Sequence, residues 1–299
     1  MVTLRQLRYF EALARVRHFG MAADRCSVTQ PALSMQVKEL ERELGVELVE
    51  RRGNSVVLTL VGREIAQRAE SILGQVRELS EFARQHQGVL SSPVRLGMIP
   101  SVAPYLLPAI LTDVEQLYPT LDLQIRETQT DMLVDELLRG ELDAVLIALP
   151  APSAQLEGMP LFDDRFLIAV QAQVAAQWNA EDLHERIGRE RLLLLEEGHC
   201  LRDQALHFCH IANMQARKAL GAASLTTIMQ MVAAGHGITL LPELCVAAEV
   251  DRQRVALIPF PDDPPMRTLG LVWRRTSGRK KDFTALGNLI RQVRQAQTA

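Results

Sequence analysis

The run Thr29-Gln30-Pro31-Ala32-Leu33-Ser34-Met35-Gln36-Val37-Lys38-Glu39-Leu40-Glu41 decides how the first part of the chain folds. Thr29 is an N-cap type, and Pro31 falls in the first turn, where a missing N–H costs nothing. Leu33, Val37 and Leu40 recur at helical spacing and bury inward, while Gln30, Ser34, Gln36 and Lys38 carry polar tips suited to base edges or phosphates. Working back, Ser27-Val28-Thr29 is a tight turn and Phe19-Gly20-Met21-Ala22-Ala23 opens a short helix through about Cys26. Leu4, Leu7, Phe10 and Leu13 space a first helix over 4–16. Two short helices, a three-residue turn and a helix with small polar side chains at its start make a helix-turn-helix. Working forward, Gly45–Val49, Arg51-Arg52 and Val56–Thr59 predict a small hairpin wing with arginines at its tip. A plain three-helix bundle with a solvated polar face fits the same pattern.

The signature is more specific than the pattern. Phe10-Glu11-Ala12-Leu13-Ala14, Phe19, Ala22-Ala23, Thr29-Gln30-Pro31-Ala32-Leu33-Ser34, Leu40-Glu41, Leu44-Gly45, Leu58-Thr59 and Gly62 closely resemble the amino-terminal signature of LysR-type transcriptional regulators. The resemblance implies that the helix beginning near Gln30 enters the major groove of double-stranded DNA and that the wing follows the backbone. Gln30, Pro31, Ser34, Gln36, Lys38, Arg51 and Arg52 are then the candidate DNA contacts. Charge agrees in sign: residues 1–38 hold six Lys/Arg against Glu11 and Asp24, a local balance of +4 within a chain of net charge −3. Residues 39–50 turn acidic, so the positive excess is modest and charge alone decides nothing.

From Leu60 a second pattern begins. Ile65, Ala69, Ile72, Val76, Leu79 and Ala83 repeat at 4-3-4-3-4, a heptad seam interrupted only by Gly74. One long helix over about 59–87 is expected, pairing with a second copy of itself, and Gly88 with Ser91-Ser92-Pro93 ends it as a hinge. After Pro93 strands and helices alternate. Val94–Met98, Leu121–Ile125 and Ala144–Leu149 read as strands separated by helices at Tyr105–Leu117 and Met132–Leu138, a parallel β-α-β-α-β arrangement. A second half has strands near 166–170, 192–195, 255–258 and 269–272, mixed signals over 221–242 and a final helix at 282–295. The expected architecture is an all-α winged helix-turn-helix over 1–59, a linker and dimerisation helix over 60–90, and a two-lobed α/β regulatory domain over 91–299. Two such lobes fit the fold shared by LysR-type effector domains and periplasmic binding proteins.

Composition bounds the class. With 299 residues, 47% hydrophobic and 23% charged, the chain is ordinary for two or three globular domains. Met1-Val2-Thr3-Leu4-Arg5 runs directly into an amphipathic pattern rather than a leader, and no apolar run reaches membrane-spanning length. Four cysteines without an extracellular cue argue for a reducing, cytoplasmic setting, where an oxidisable pair is a sensor or a catalyst. No GxGxxG, Walker motif or His-Glu-x-x-His is present, and no cofactor is expected.

One stretch carries chemistry. Glu196-Glu197-Gly198-His199-Cys200-Leu201-Arg202-Asp203-Gln204 follows the apolar strand Leu192–Leu195 and starts a helix, with Cys209 nine residues after Cys200. A cysteine at a helix start beside His199 and Arg202 has surroundings that lower a thiol pKa. On one helix, Cys200 and Cys209 have Cα atoms about 13–14 Å apart, whereas a disulfide spans roughly 4.4–6.8 Å. The pair either never closes or closes by unwinding local structure. Cysteines in such chains are more often small buried hydrophobes, which fits Cys26 and Cys245.

Gly97–Pro108, Gln129-Thr130, Leu195–Ala205 with Cys209, and Met231–Pro242 resemble the peroxide-sensing members of the LysR-type family across essentially the whole chain. The resemblance implies that Cys200 is the peroxidatic thiol and Cys209 the resolving one, joined reversibly in a disulfide. Ser101, Thr130, His199, Arg202 and Asp203 match the peroxide pocket: hydroxyls to hold peroxide, Arg202 to favour charge on the leaving oxygen, His199 or Asp203 to handle protons. Family members commonly carry Thr where Ser101 stands. It also implies a non-enzymatic activator of oxidative-stress genes, with DNA of dyad symmetry, hydrogen peroxide and RNA polymerase as partners, assembled as a homodimer or homotetramer. In the plainer reading Ser101 and Thr130 cap helices, Asp203 is a first-turn acid and Arg202 sits in solvent. Two rival sensors remain open. His199, Cys200, His207, Cys209 and His210 are metal-ligand types at no common zinc spacing. Ser101 and Thr130 could instead hold the carboxylate of a small organic effector.

Overall fold

The computed structural model describes residues 1–52, 55–84, 88–178, 183–211, 217–261 and 264–298, with the side chains of 51–52, 55, 77–78, 80–84, 184, 207–211, 217–219 and 298 outside that description. It divides into two units, Met1–His86 and Gln87–Ala299.

In the first unit, α1 (Leu4–Val16), α2 (Phe19–Arg25) and α3 (Gln30–Leu44) precede β1 (Val49–Arg52), β2 (Ser55–Leu58) and α4 (Leu60–Arg84). Local chemistry sets each boundary. Thr3 and Gln6 form a reciprocal capping box at the start of α1. Thr29 Oγ1 accepts from the Ala32 N–H at 3.4 Å to start α3, and Gly45, at φ 69°, ends it in the left-handed conformation. β1 and β2 pair antiparallel from Val49↔Leu58 to Arg52↔Ser55, so the expected hairpin forms with Arg51 and Arg52 at its turn end. Phe10, Leu13, Leu33, Val37, Leu40 and Leu48 are buried together. The seam on α4 divides: Ala69 is buried with this core and Ile65 packs on it, whereas Ile72 and Leu79 are 41% and 69% exposed. The expected end of this helix, 85–87, lies outside the described residues.

The second unit runs β3 (Val94–Met98), α5 (Ala103–Leu117), β4 (Leu123–Glu127), α6 (Thr130–Leu138), β5 (Ala144–Ala148), β6 (Leu156–Gln171) and a 3₁₀ turn at Ala172–Gln177. It continues with α7 (Leu183–Arg189), β7 (Arg191–Leu195), α8 (Cys200–Ile211), β8 (Arg217–Ala222), α9 (Leu225–Ala233) and β9 (Thr239–Pro242). The last elements are α10 (Val246–Glu249), β10 (Val255–Ile258), β11 (Met266–Arg274) and α11 (Lys280–Thr298). β3 pairs in parallel with both β4 and β5, as the alternation predicts. β11 is antiparallel to β5 and β6, and β6 also carries β9 and β10. β7 and β8 form a separate parallel pair.

Two hydrophobic cores result. One gathers Leu96, Met98, Leu106, Ile110, Val145 and Phe283; the other gathers Ile168, Leu193, Leu194, Val232, Leu241 and Cys245. β6 serves both, with Leu156 and Leu161 in the first and Phe166, Ile168, Ala169 and Val170 in the second. Its 16 residues exceed the expected strand near 166–170. The polar and proline positions of its first half, Glu157, Pro160, Asp163 and Asp164, hide that half from a hydrophobicity pattern, but pairing with β11 holds it extended.

Candidate functional site

The site forms where β3 and β7 end and α6 and α8 begin. Beyond β3 the chain continues through Ile99, Pro100 and Ser101, and beyond β7 it turns through Gly198, at φ +89°, to place Cys200 as the first residue of α8. These segments form a small open cleft lined by Ile99, Pro100, Ser101, Gln129, Thr130, Leu195, His199, Cys200 and Leu201. Cys200 is half-buried and packs toward the first core, while Leu201 beside it is buried in the second. The thiol thus stands at the seam between the two cores.

Two hydroxyl-bearing residues line the cleft with it. Ser101 is held from behind: Arg267 Nη1 donates to its Oγ at 2.7 Å, and Nη2 donates to its carbonyl oxygen at 3.1 Å. Arg267 is itself buried against Asp164, its Nε donating to Oδ2 at 3.0 Å, and Asp164 Oδ1 accepts from the Leu244 N–H at 2.9 Å. With that arginine donating to one of the oxygen's two lone pairs, the Ser101 O–H is left to donate elsewhere. Thr130 opens α6, yet its buried Oγ1 has no hydrogen-bond partner among the described residues. Neither hydroxyl caps a helix, so the capping reading of these two residues does not hold. An orphaned buried hydroxyl in a cleft calls for a water or a small polar ligand.

Ser101, Thr130, His199 and Cys200 are therefore brought together, whereas Arg202 and Asp203 do not line the cleft. Arg202 Nη1 donates to the Leu195 carbonyl oxygen at 3.0 Å, and its backbone N–H donates to the His199 oxygen at 2.9 Å, so it braces the end of β7 and the turn before Cys200. Asp203 is an exposed acid in the first turn of α8, favourable to the helix dipole. Cys209 lies on the same helix as Cys200, and its side chain falls outside the described residues. The remaining thiols are packed. Cys245 is buried, its Sγ donating to the Ser101 oxygen at 3.7 Å, and burial pushes it up to about 12 against the opposing charge of Arg267. Burial likewise raises the Cys26 thiol. Sequence reasoning missed Gln129 and Leu195 as lining residues and Arg267 as the support of Ser101. Gln129 was signalled only by its place beside Thr130, and Arg267 by nothing local.

On α3, Gln30, Pro31 and Lys38 are exposed and Ser34 is half-buried on the same side. Gln36, two residues from Ser34, lies about 200° around the helix, beside the buried stripe of Leu33, Val37 and Leu40. The first four share a surface and Gln36 does not. The backbone of Arg51 and Arg52 ends β1, and their side chains lie outside the described residues. Among the described residues, no group of three His, Cys, Asp or Glu is placed to hold a metal ion. The side chains of His207, Cys209 and His210, on which the metal reading depends, fall outside them. No described helix is long and apolar enough to cross a membrane.

Residues 4–63 match the family described as bacterial regulatory helix-turn-helix protein, lysR family, and residues 87–295 match the LysR substrate binding domain. The chain belongs to the LysR family. This LysR-family chain is 42% identical to the DNA-binding transcriptional dual regulator OxyR of Escherichia coli K12, over 97% of its own length and 95% of the relative's. Among solved structures it resembles a full-length OxyR of Pseudomonas aeruginosa carrying a cysteine-to-aspartate substitution, with a TM-score of 0.78, 37% identity, and coverage of 97% and 95% of the two chains. It also resembles an H2O2-bound cysteine-to-serine mutant of Corynebacterium glutamicum OxyR, with a TM-score of 0.67, 34% identity, and coverage of 98% and 93%.

Proposed function

We propose that this LysR-family chain is a transcriptional regulator that senses hydrogen peroxide through Cys200 and Cys209. One observation carries the reading: Cys200 shares a small cleft with the orphaned hydroxyl of Thr130 and the braced hydroxyl of Ser101. The cleft leaves only about 10 Å³ for the centre of a water-sized molecule, close to what one small polar molecule needs, so it suits peroxide better than an organic effector. In the first step the Cys200 thiolate attacks one peroxide oxygen, the O–O bond breaks, and the other oxygen leaves as water after gaining a proton. Ser101 and Thr130 hold the peroxide, and His199 handles the proton. The Cys209 thiol then attacks the resulting sulfenic sulfur and displaces its hydroxyl as a second water. Two thiols lose two electrons in all, and one peroxide becomes two waters. Arg202 acts by holding the turn rather than by touching the oxidant, and Asp203 serves the helix start.

The rest of the reading follows the family. Residues 1–59 bind double-stranded DNA of dyad symmetry, 60–90 link and pair two copies, and 91–299 form a two-lobed regulatory domain like that of periplasmic binding proteins. The exposed Ile72 and Leu79 support pairing along α4. The assembly is a dimer or tetramer acting with RNA polymerase in the cytoplasm, without enzymatic turnover, cofactor or metal. Counting free thiols and bound metal before and after stoichiometric peroxide tests the sensor. Loss of two thiols supports it; unchanged thiols with bound metal, or with a response to an organic acid, overturn it.

For DNA, Ser34→Ala is expected to relax base discrimination by about 1–3 kcal/mol at one position. Arg51→Ala should weaken binding to all sequences and lower the salt slope by about 1. Titrations of specific and random duplexes at several salt concentrations check both. Salt-insensitive binding, unchanged in either variant, contradicts the assignment.

A further inference from the structure

The cleft contains a residue with an unassigned task. Gln129 is the N-cap of α6 by backbone geometry, its carbonyl oxygen accepting from the Leu133 N–H at 3.0 Å, yet its side chain makes no capping hydrogen bond. That side chain reaches across the cleft instead. Its Nε2 donates to the carbonyl oxygen of Glu197, 68 residues away, at 3.3 Å. The amide packs against Gly198, where an added Cβ would stand 2.5 Å from Gln129 Oε1. Gln129 therefore ties the first turn of α6, which buries Leu133 and Leu137 in the first core, to the turn that delivers Cys200.

We propose that Gln129 is a positioning residue, a latch that holds the Glu197-Gly198 turn closed and so sets how fast Cys200 leaves the cleft to meet Cys209. This rests on the peroxide-sensing reading above. Peroxide attack needs the turn closed, with Cys200 beside Ser101 and Thr130. In the second step the Cys209 sulfur displaces the sulfenic hydroxyl as water, and this needs Cys200 and Cys209 closer than a helix allows. A contact present in the closed state and broken in the open one slows opening by the free energy of that contact. For one hydrogen bond this is a factor of roughly 2–10.

Reduced full-length protein is mixed rapidly with H2O2, quenched by alkylation and read by mass spectrometry, with Gln129→Ala and Gln129→Met compared to the unaltered chain. The peroxide-independent closing of the Cys200–Cys209 bond should accelerate about 2- to 10-fold in both variants, by more than any change in the bimolecular oxidation of Cys200, whose cleft Gln129 also lines. Methionine keeps much of the bulk and the backbone cap, adds no charge beside Cys200 and has no N–H to give, so an effect shared with alanine belongs to the hydrogen bond. Equal closing rates overturn the latch, as does an attack rate that falls by as large a factor as closing rises, since that marks a generally loosened pocket. Deuterium exchange at the 198–201 amides of the reduced protein gives a second readout without peroxide. A rise by a similar factor supports the latch, and unchanged exchange overturns it. If the unaltered protein forms no Cys200–Cys209 bond, the peroxide-sensing reading fails and takes the rate proposal with it. If it forms the bond at the variants' rate, the latch alone fails.

Discussion

Cys200→Ser is expected to abolish the peroxide response, with oxidation of the reduced protein slowed at least on the order of 10³-fold. Serine preserves shape and polarity in the cleft, so the loss isolates the thiolate, which a hydroxyl cannot replace as a nucleophile toward peroxide. Cys209→Ser is expected to behave differently. It should still consume one peroxide, then accumulate a sulfenic acid at Cys200 or its overoxidised forms, because nothing remains to condense with it. Cys245 provides an internal control: buried, with its thiol pushed up to about 12, it carries almost no thiolate at neutral pH. Cys26 is also raised by burial, though less enclosed. Mass spectrometry after brief peroxide treatment should find modification concentrated at Cys200. Equal oxidation of Cys26 or Cys245 would sink the assignment.

The amino-terminal fold was legible because its determinants are local. Thr29, Pro31 and Gly45 mark the ends of α3 within a few residues of the side chains they organise, and the buried stripe of Leu33, Val37 and Leu40 repeats at helical spacing. The same holds for β3 and β10, whose predicted bounds coincide with those observed. Legibility fails where structure depends on residues distant in sequence. The first half of β6 is polar and holds Pro160, so only its partner β11 makes it a strand. Arg267, Asp164 and Ser101 look like three unrelated surface residues until the fold buries them in one hydrogen-bonded group. Gln129 is similar, since its bond to Glu197 spans two segments that only tertiary packing joins. Cys200 lay between these cases. Its residue environment marked it as chemical, but that Ser101 and Thr130 share its cleft, and that Arg202 turns toward Leu195, required the fold.

Oxidation is expected to unwind α8. The helix runs unbroken from Cys200 to Ile211 and so includes Cys209. Nine residues of helix separate Cα atoms by about 13–14 Å, roughly twice what a disulfide can span. No rotamer closes that gap, so the bond can form only if backbone hydrogen bonds of the helix break. Unwinding also pulls at Leu201 and Ala205, both buried in the second core, and exposing one leucine costs about 1.5–3 kcal/mol. The covalent bond must offset this, which makes the oxidised segment a distinct packing rather than a small adjustment. In a paired regulator a rearranged segment alters contacts between copies and respaces the two DNA-reading heads, so the DNase footprint should change more than the affinity of one isolated head. Amide exchange over 201–211 should rise on the order of 10²-fold on oxidation as the helix bonds are lost. If peroxide forms the Cys200–Cys209 bond while both the exchange pattern and the footprint stay as they were, the bond has closed without the rearrangement, and the switch must lie elsewhere in the chain.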